Sequence, residues 1–278
     1  MTTIDFIKMH GLGNDFVVID GRESTINLPQ GSVRTISNRH TGIGCDQVIV
    51  MQPSQNADVF MRIFNADGSE VAACGNATRC VARLLQGSGQ SDHVSIETLG
   101  GFLKAYRHNE REIRVDMGPP LFNWCDIPIA NKEDTLHLPI EIGNLRDPAA
   151  LSMGNPHCVF FVEDVDAIDL AKWGPEIEGH SLFPERTNVE IAQIIDGGMI
   201  RLRVWERGAG ITLACGTGAC AAAVSAHRRG LTERRVRIKL DGGDLDINWG
   251  EDDHVTMTGE VAITFTGSFN LSALGELN

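Results

Sequence analysis

The sequence predicts an α+β protein of two pseudo-symmetric domains that arose by internal duplication, each a twisted, mostly antiparallel sheet wrapped round one buried central helix. The segment ACGN at 73–76 recurs as ACGT at 214–217. A Gly-Asn pair stands sixty residues before each cysteine, ending at Asn14 and Asn155, so the two copies are offset by 141 residues. Each copy also surrounds one apolar helix pattern with many short strand patterns, which is typical of an α+β fold rather than a doubly wound parallel sheet.

The repeat divides the chain of 278 residues into two predicted domains, a length sufficient for two separate cores. The first is predicted at 1–118 and the second at 119–265, joined by the linker Gly-Pro-Pro at 118–120. The C-terminal tail, residues 266–278, is expected to pack back on the first domain.

The first copy begins with a strand, a Gly-rich bend at 11–13 and a second strand, spanning 4–20 in all. Alternating and apolar runs then predict further elements between turn residues. These are a short helix at 33–39, strands at 47–51 and 58–64, a turn at 65–68, and strands at 94–98, 102–108 and 112–117. The helix at 75–86 is apolar nearly all round, so we expect it to be buried, and the Gly-rich segment 87–89 should end it.

The second copy repeats these patterns. The strand-like segment 61–65 falls on 202–206 at the common offset, and the buried helix recurs at 216–229. Three further strands are predicted at 236–240, 244–249 and 254–258.

Composition excludes several kinds of protein. The net charge of −13 argues against a nucleic-acid or acidic-membrane partner, and the arginine-rich segment 228–237 is interpreted as a solvated helix end and strand face. No signal peptide or apolar stretch of membrane-spanning length is present, which predicts a cytoplasmic protein. The odd number of cysteines, seven, favours reduced thiols over a disulfide framework.

Cys74 and Cys215 are the candidate catalytic groups because each immediately precedes a predicted helix. The partial positive charge of a helix start lowers a thiol pKa, and the adjacent Gly75 and Gly216 let backbone amides approach a carboxylate. Facing domains would carry the two thiols to opposite walls of one cleft, where they could act on both faces of one carbon. The alternative, a buried structural role, is kept for the other cysteines, which are Cys45, Cys80, Cys125, Cys158 and Cys220.

Polar residues in the predicted turns suggest an amino-acid-like ligand. Arg207 could bind a carboxylate and Glu206 an ammonium group, while Asn65 and Glu206 are equivalent in the two copies. The full set is Asn14, Gln47, Asn65, Asn155, His157, Asn188, Glu206 and Arg207. The cysteine spacing does not fit a zinc site, and no lysine for a PLP Schiff base lies in the paired sites, so neither metal nor cofactor is expected.

Several ordered motifs resemble the diaminopimelate epimerase family across nearly the whole chain. They are GLGNDF at 11–16, GIGCDQ at 42–47, NADGS at 65–69, CGN at 74–76, GNPH at 154–157, ERGAG at 206–210 and CGTG at 215–218. The resemblance implies a PLP-independent isomerase that interconverts LL- and meso-diaminopimelate in lysine and peptidoglycan precursor biosynthesis, commonly as a homodimer.

The resemblance also implies roles for individual residues. Cys74 and Cys215 would be the catalytic pair, while His157 and Glu206 would tune the thiols. The substrate-binding residues would be Asn14, Gln47, Asn65, Gly75, Asn76, Asn155, Asn188, Glu206, Arg207, Gly216 and Thr217. The chain departs from the family pattern at Ala72-Ala73, Ala77-Thr78, Trp205 and Ile211.

Two other functions are compatible with the residues. A cofactor-free racemase or epimerase of the same fold could act on a different amino acid, and a substrate panel would separate the two. A non-catalytic binder of amino acids or anions could use the helix starts as a cradle, but it leaves the matched cysteines unexplained. A thiol-redox protein is disfavoured because the chain has no Cys-x-x-Cys motif.

Overall fold

The computed structural model describes residues 3–24, 26–87 and 93–270. These form two compact units, the first from Met1–Val115 and Gly259–Asn278 and the second from Asp116–Thr258. The chain therefore leaves and re-enters the first unit a few residues earlier than the boundaries predicted at 118 and 265.

The elements follow one another in chain order. The first ten are β1 (Thr3–Gly11), β2 (Asn14–Asp20), α1 (Gln30–Ser37), β3 (Gln47–Gln52), β4 (Val59–Asn65), β5 (Glu70–Val71), α2 (Gly75–Gly87), β6 (His93–Thr98), β7 (Gly101–Arg107) and β8 (Glu112–Asp116). The next twelve are β9 (Glu141–Ile142), β10 (Leu145–Arg146), β11 (Ala149–Ser152), β12 (Pro156–Phe161), α3 (Leu170–Glu178), β13 (Asn188–Asp196), β14 (Met199–Glu206), β15 (Gly210–Thr212), α4 (Gly216–Arg228), β16 (Arg235–Leu240), β17 (Gly243–Trp249) and β18 (Val255–Glu260). The last is β19 (Ala262–Asn270).

The two units pair their strands in the same order. In the first, β2 runs parallel to β3, β3 antiparallel to β4, and β4 antiparallel to β5 and parallel to β6. In the second, β12 runs parallel to β13, β13 antiparallel to β14, and β14 antiparallel to β15 and parallel to β16. Even the register agrees, because Phe16 pairs with Gln47 and His157 pairs with Asn188, each 141 residues later. The predicted duplicated, mostly antiparallel α+β fold is confirmed.

One buried helix lies against the sheet of each unit. α2 packs on β1, β6 and β7, and α4 packs on β11, β12, β13 and β17. Most of each helix is buried from its first turn onward. α4 carries small and apolar residues on nearly every face, whereas α2 also buries the polar side chains of Asn76, Thr78, Arg79 and Gln86. Of the segment 87–89 predicted to end α2, Gly87 is the last residue of the helix, and 88–89 lie outside the described residues.

The end of α4 has an identifiable cause. Gly230 adopts a positive φ of 71°, a conformation that glycine reaches without strain. Its N–H donates to His227 O at 2.8 Å, and the N–H of Leu231 donates to Ala226 O at 2.9 Å. This pair of bonds is the Schellman motif, and it stops the helix.

The last strand of the chain belongs to the first unit. β19 pairs antiparallel with β1 from Thr3↔Asn270 to His10↔Ala262. Of the tail expected to pack back on the first domain, residues 266–270 lie in this pairing, and 271–278 lie outside the described residues.

The helix α3 has no counterpart in the sequence-based prediction because it contains the breakers Gly174 and Pro175. Asp169 caps it by accepting from Lys172 N at 3.2 Å. A Cβ atom at Gly174 would lie 2.5 Å from the Trp205 ring, so the glycine makes room for that side chain.

Within the described residues, no helix is both long and apolar enough to cross a membrane.

Candidate functional site

The first half-site comprises Asn14, Gln47, Asn65 and residues 74–76. Cys74 stands at the start of α2, and its carbonyl oxygen accepts from the backbone N–H of Thr78 at 3.0 Å and from the Thr78 hydroxyl at 2.9 Å. Thr78, one of the departures from the family pattern, therefore reinforces the first helical turn. The Cys74 thiol is partly exposed and lies 4.0 Å from Asn14 Oδ1.

Asn14 links Cys74 to an ion-pair network. Its Oδ1 accepts from Asn76 Nδ2 at 3.1 Å, and its Nδ2 donates to Asp46 Oδ2 at 2.9 Å. Because a carboxylate can only accept hydrogen bonds, Asp46 holds the Asn14 amide with its oxygen toward Asn76 and Cys74.

Charged residues that sequence reasoning did not select hold this arrangement in place. Arg39 bridges Asp46 and Asp15, each at 2.7 Å, and the buried Lys8 donates to Asp15 at 2.6 Å and to the carbonyl of Gly44. Burial opposes ionisation of Asp15, but the hydrogen bonds and charges of Arg39 and Lys8 hold its pKa well below its usual range. The alternation of Lys8 with apolar neighbours in a predicted strand, with Asp15 next to Asn14, was the available signal.

Gln47 and Asn65 form the other polar pair of the first half-site. They are direct partners across β3 and β4, and Gln47 Nε2 donates to Asn65 Oδ1 at 2.9 Å. Asn65 Nδ2 in turn donates to the Ser69 hydroxyl at 3.1 Å. Gln47 Oε1 is buried and has no hydrogen-bond partner among the described residues.

A fully buried arginine lies in the interior of α2. A Cβ atom at Gly11 would lie 3.0 Å from Arg79 Nη2 and 3.6 Å from Asn76 Cβ. The buried guanidinium of Arg79 therefore lies close to Gly11 and Asn76. The equivalent position in α4 is Cys220, which carries no charge.

The second half-site comprises Asn155, His157, Asn188, Glu206, Arg207 and residues 215–217. Cys215 is the N-cap of α4, and its sulfur accepts from Gly218 N at 3.4 Å and lies 3.5 Å from the Thr217 hydroxyl. Unlike Cys74, it is only 4% exposed.

The pKa of Cys215 moves in the opposite direction from the one expected at a helix start. Burial raises it well above its ordinary value, and the charges of Glu206 and Glu190 raise it further, against the smaller effects of Thr217 and the Gly218 N–H. Burial also raises the pKa of Glu206, which hydrogen-bonds to the Cys215 thiol and accepts from the Thr212 hydroxyl. The expectation of a lowered pKa was wrong for Cys215 because desolvation outweighs the helix dipole.

His157 is completely buried between two polar side chains. Its Nδ1 lies 2.7 Å from Glu190 Oε1 and its Nε2 lies 2.9 Å from Asn155 Oδ1. Asn155 Nδ2 then donates to the Thr217 hydroxyl at 3.3 Å. Sequence reasoning did not select Glu190, although it lies two residues from Asn188 in a strand and so shares a sheet face with it.

Asn188 is buried, and its side chain hydrogen-bonds to two backbone groups. Its Oδ1 accepts from the backbone N–H of Arg207 at 2.9 Å, and its Nδ2 donates to Pro156 O at 2.9 Å. Arg207 itself is exposed, and its Nη1 donates to Glu185 O at 3.1 Å. Asn188 therefore positions the turn that carries Arg207.

Trp205 supports the same turn from the other side. Its Nε1 donates to Glu178 Oε2 at 2.6 Å, and Glu178 Oε1 accepts from Gly208 N at 3.0 Å. Trp205, which departs from the family pattern, thus has a hydrogen-bond partner in Glu178. Ile211, another departure, is exposed, as are Ala72 and Ala73.

At the start of α2 the structure brings together Asn14, Cys74 and Asn76, and at the start of α4 it brings together Asn155, His157, Glu206, Cys215 and Thr217. Gln47 and Asn65 contact each other, and Asn188 contacts the backbone of Arg207, but within the described ranges no hydrogen bond joins these four residues to the helix starts. That the two half-sites face one another across a cleft stays a prediction. In the part of the chain that the structure describes, no three His, Cys, Asp or Glu side chains are grouped so as to hold a metal ion.

Comparison with known proteins identifies the family of this chain. A family model for diaminopimelate epimerase matches residues 6–122 and 149–264. A diaminopimelate epimerase from Rhodospirillum centenum is 53% identical over 272 residues, covering 97% of this chain and 93% of that protein.

Two solved structures share the fold at low identity. A phenazine biosynthesis protein of the PhzF family from Bacillus anthracis aligns with a TM-score of 0.70 at 16% identity, over 97% of this chain and 100% of that one. A hydroxyproline epimerase from Agrobacterium vitis, with bound trans-4-hydroxy-L-proline, aligns with a TM-score of 0.68 at 16% identity, over 96% and 92% of the two chains.

Proposed function

Because this chain belongs to the diaminopimelate epimerase family, we propose that it interconverts LL- and meso-2,6-diaminopimelate by proton transfer at Cα between two cysteines, without PLP. The observation that carries the proposal is the occurrence of Cys74 and Cys215 at equivalent helix starts of a duplicated fold. One cysteine removes the Cα proton as a thiolate and the other delivers a proton to the opposite face as a thiol.

The environment of Cys215 supports the thiol role for this residue before turnover. Burial and two nearby carboxylates favour its protonated form, so it holds the proton that the reaction must deliver. Cys74 is partly exposed and lies on a helix that contains the buried cation Arg79. It is then the base in the direction of the reaction in which Cys215 delivers the proton. In the reverse direction the two residues exchange roles.

The polar residues support a zwitterionic substrate. The backbone N–H groups at the starts of α2 and α4, contributed by Gly75, Asn76, Gly216 and Thr217, suit the carboxylate at the reacting carbon. They would also stabilise the negative charge that develops on that carboxylate as the proton leaves. Arg207 supplies an exposed cation for a carboxylate, and Glu206 an anion for an ammonium group.

The proposal is tested by incubating reduced, metal-free and PLP-free protein with LL-diaminopimelate in D₂O. We expect Cα deuteration together with the meso product. Absence of both, while a control epimerase works, would reject this substrate, and a panel that includes proline and hydroxyproline would then test other amino acids. Saturable binding with no Cα exchange for any of them would favour a binding protein.

We further propose a cytoplasmic homodimer. The structure has all seven cysteines as thiols, in keeping with a reducing compartment. On β19, Ile263 and Phe265 are 52% and 47% exposed, and these apolar side chains suit contact with a second copy. Light scattering of purified protein should give twice the chain mass, and Phe265→Asp should shift it toward the monomer. Cell fractionation tests the compartment.

A further inference from the structure

The buried pair formed by His157 and Glu190 determines how Asn155 is presented beside Cys215. We propose that Glu190 is a positioning residue, which keeps the His157 ring protonated at both nitrogens so that the Asn155 amide turns its N–H group toward the start of α4. This role rests on the proposed function, because Asn155 is expected to bind substrate.

Strand register brings the pair together. β12 and β13 are parallel neighbours in which His157 pairs with Asn188 and Val159 with Glu190, so Glu190 lies two residues along the same sheet face from His157. Both side chains are fully buried, and Nδ1 and Oε1 are 2.7 Å apart. A buried carboxylate is costly without a charged or hydrogen-bonded partner, and the imidazole is that partner here.

The two ring nitrogens of His157 both face acceptor oxygens, Glu190 Oε1 at Nδ1 and Asn155 Oδ1 at Nε2. A neutral imidazole has one donor and one acceptor nitrogen, so it can satisfy only one of these contacts as a donor. With Glu190 ionised and the Asn155 amide oriented as it is, both contacts are hydrogen bonds only if the ring is an imidazolium, which the negative charge of Glu190 would stabilise inside the protein.

The charge on the ring fixes the polarity of the Asn155 amide. With Oδ1 held by the imidazolium, Nδ2 faces the Thr217 hydroxyl at 3.3 Å. A neutral ring that presents a bare Nε2 would instead attract the amide N–H, and the amide would rotate. Because a substrate carboxylate only accepts hydrogen bonds, the rotated amide would present it with an oxygen instead of a donor.

Glu190 also lies against the first turn of α4. A Cβ atom at Gly218 would be 2.7 Å from Glu190 Oε1 and 3.4 Å from Cys215 Cβ, so a glycine is needed between them. Positions 16 and 49 of the first copy, equivalent to His157 and Glu190, are the buried apolar residues Phe16 and Ile49. The pair is therefore an addition specific to the second half-site rather than a requirement of the repeated fold.

The first test reads the ring directly in ligand-free protein by ¹⁵N NMR at neutral pH. We expect both His157 nitrogens to be protonated in the wild-type enzyme and only Nδ1 in Glu190→Gln, since the amide keeps the shape and an acceptor but loses the charge. A neutral His157 in the wild-type enzyme would overturn the proposal, whatever the substrate proves to be.

The second test is a double-mutant cycle on epimerisation. Glu190→Gln should lower kcat/KM about 10- to 100-fold, mainly through KM, as expected for loss of a charge-assisted hydrogen bond. In an Asn155→Ala background the same change should have a clearly smaller effect, because the amide that it orients is gone and only the direct effect of the Glu190 charge on Cys215 remains. Equal factors in both backgrounds would overturn the proposal.

The matched control is Asp147→Asn in the same unit. Asp147 pairs with His137 at 3.0 Å, but both side chains are about half exposed. Its φ is positive at 52°, a conformation that asparagine tolerates. This variant should keep kcat/KM within about twofold of wild type.

Discussion

In the first unit, Cys74 is partly exposed and its helix contains the fully buried cation Arg79, whereas in the second unit Cys215 is 4% exposed and lies beside the carboxylates of Glu206 and Glu190. The backbone around the two cysteines is the same, since α2 and α4 start and end 141 residues apart. Duplication supplied two copies of one thiol-bearing helix start, and a few buried side chains then gave the copies charges of opposite sign. In the proposed mechanism this difference favours Cys74 as the base and Cys215 as the acid in one direction of the reaction.

The equivalent residues Asn14 and Asn155 also differ between the two units, in the orientation of their side-chain amides. Asp46 turns the oxygen of Asn14 toward Cys74, and His157 turns the nitrogen of Asn155 toward Thr217. Equivalent asparagines therefore present opposite hydrogen-bonding groups in the two half-sites, and each is held by an ionisable side chain that the other unit lacks.

Removing either thiol should have the largest effect. Cys74→Ala and Cys215→Ala should each lower the rate of epimerisation by roughly 10³-fold or more, because one of the two proton-transfer groups is lost. Formation of the meso isomer, followed by chiral chromatography, measures it. Cys125→Ala, at an exposed cysteine of the second unit, is the control and should behave as wild type. Substantial turnover by either of the first two variants would refute the two-base scheme.

Alkylation should reveal the difference between the two thiols. At pH 8, iodoacetamide should modify Cys74 about 100-fold or more faster than Cys215, since only the thiolate reacts and burial keeps Cys215 protonated. Peptide mass mapping over time gives both rates in one sample, with the exposed Cys125 and the buried Cys158 as internal references. Equal rates at Cys74 and Cys215 would show that the two environments do not differ in the proposed way.

Asp46→Asn, in the first half-site, should lower kcat/KM less than Glu190→Gln does in the second. Asp46 is exposed to solvent, and the lost charge-assisted bond to Asn14 should cost about 3- to 10-fold in kcat/KM. The control is Asp20→Asn, which breaks the exposed ion pair with Arg22 in the same unit. A loss as large as that of Glu190→Gln would mean that the two orienting networks are equally important.

Both units should lose stability in alkaline solution. Burial raises the pKa of Cys80 to about 12 and that of Cys158 well above its ordinary value, as it does for Cys215. Above pH ~8.5 the unfolded chain releases these protons while the folded chain keeps them, so the unfolded state binds fewer protons and the free energy of unfolding falls as pH rises. Each thiol contributes at most about 1.4 kcal/mol per pH unit.

Urea unfolding between pH 8 and 10.5 measures that slope. Cys158→Ala should flatten it, whereas Cys125→Ala, at an exposed thiol, should leave it unchanged. An unfolding free energy that stays constant over this range would contradict the burial of the thiols.

The sequence predicts best what is repeated. The two central helices, the strands around them and the two cysteines recur at one offset, and periodicity detects such features. The helix α3 was missed because Gly174 and Pro175 argue against a helix, while contact with Trp205 requires the glycine. Glu190 and Lys8 were missed because a charged residue inside a strand looks like a solvent-facing position, and only the register reveals its buried partner.

The pairing of β19 with β1 has a consequence for how the polypeptide is made. The second unit is contiguous in sequence, whereas the first is built from two separated segments of the chain. Although β1 to β8 are translated first, the first unit lacks a strand until residues 262–270 have left the ribosome. Its sheet should therefore be completed only after the second unit has been synthesised, and a circular permutant that joins β19 directly to β1 should remove that dependence.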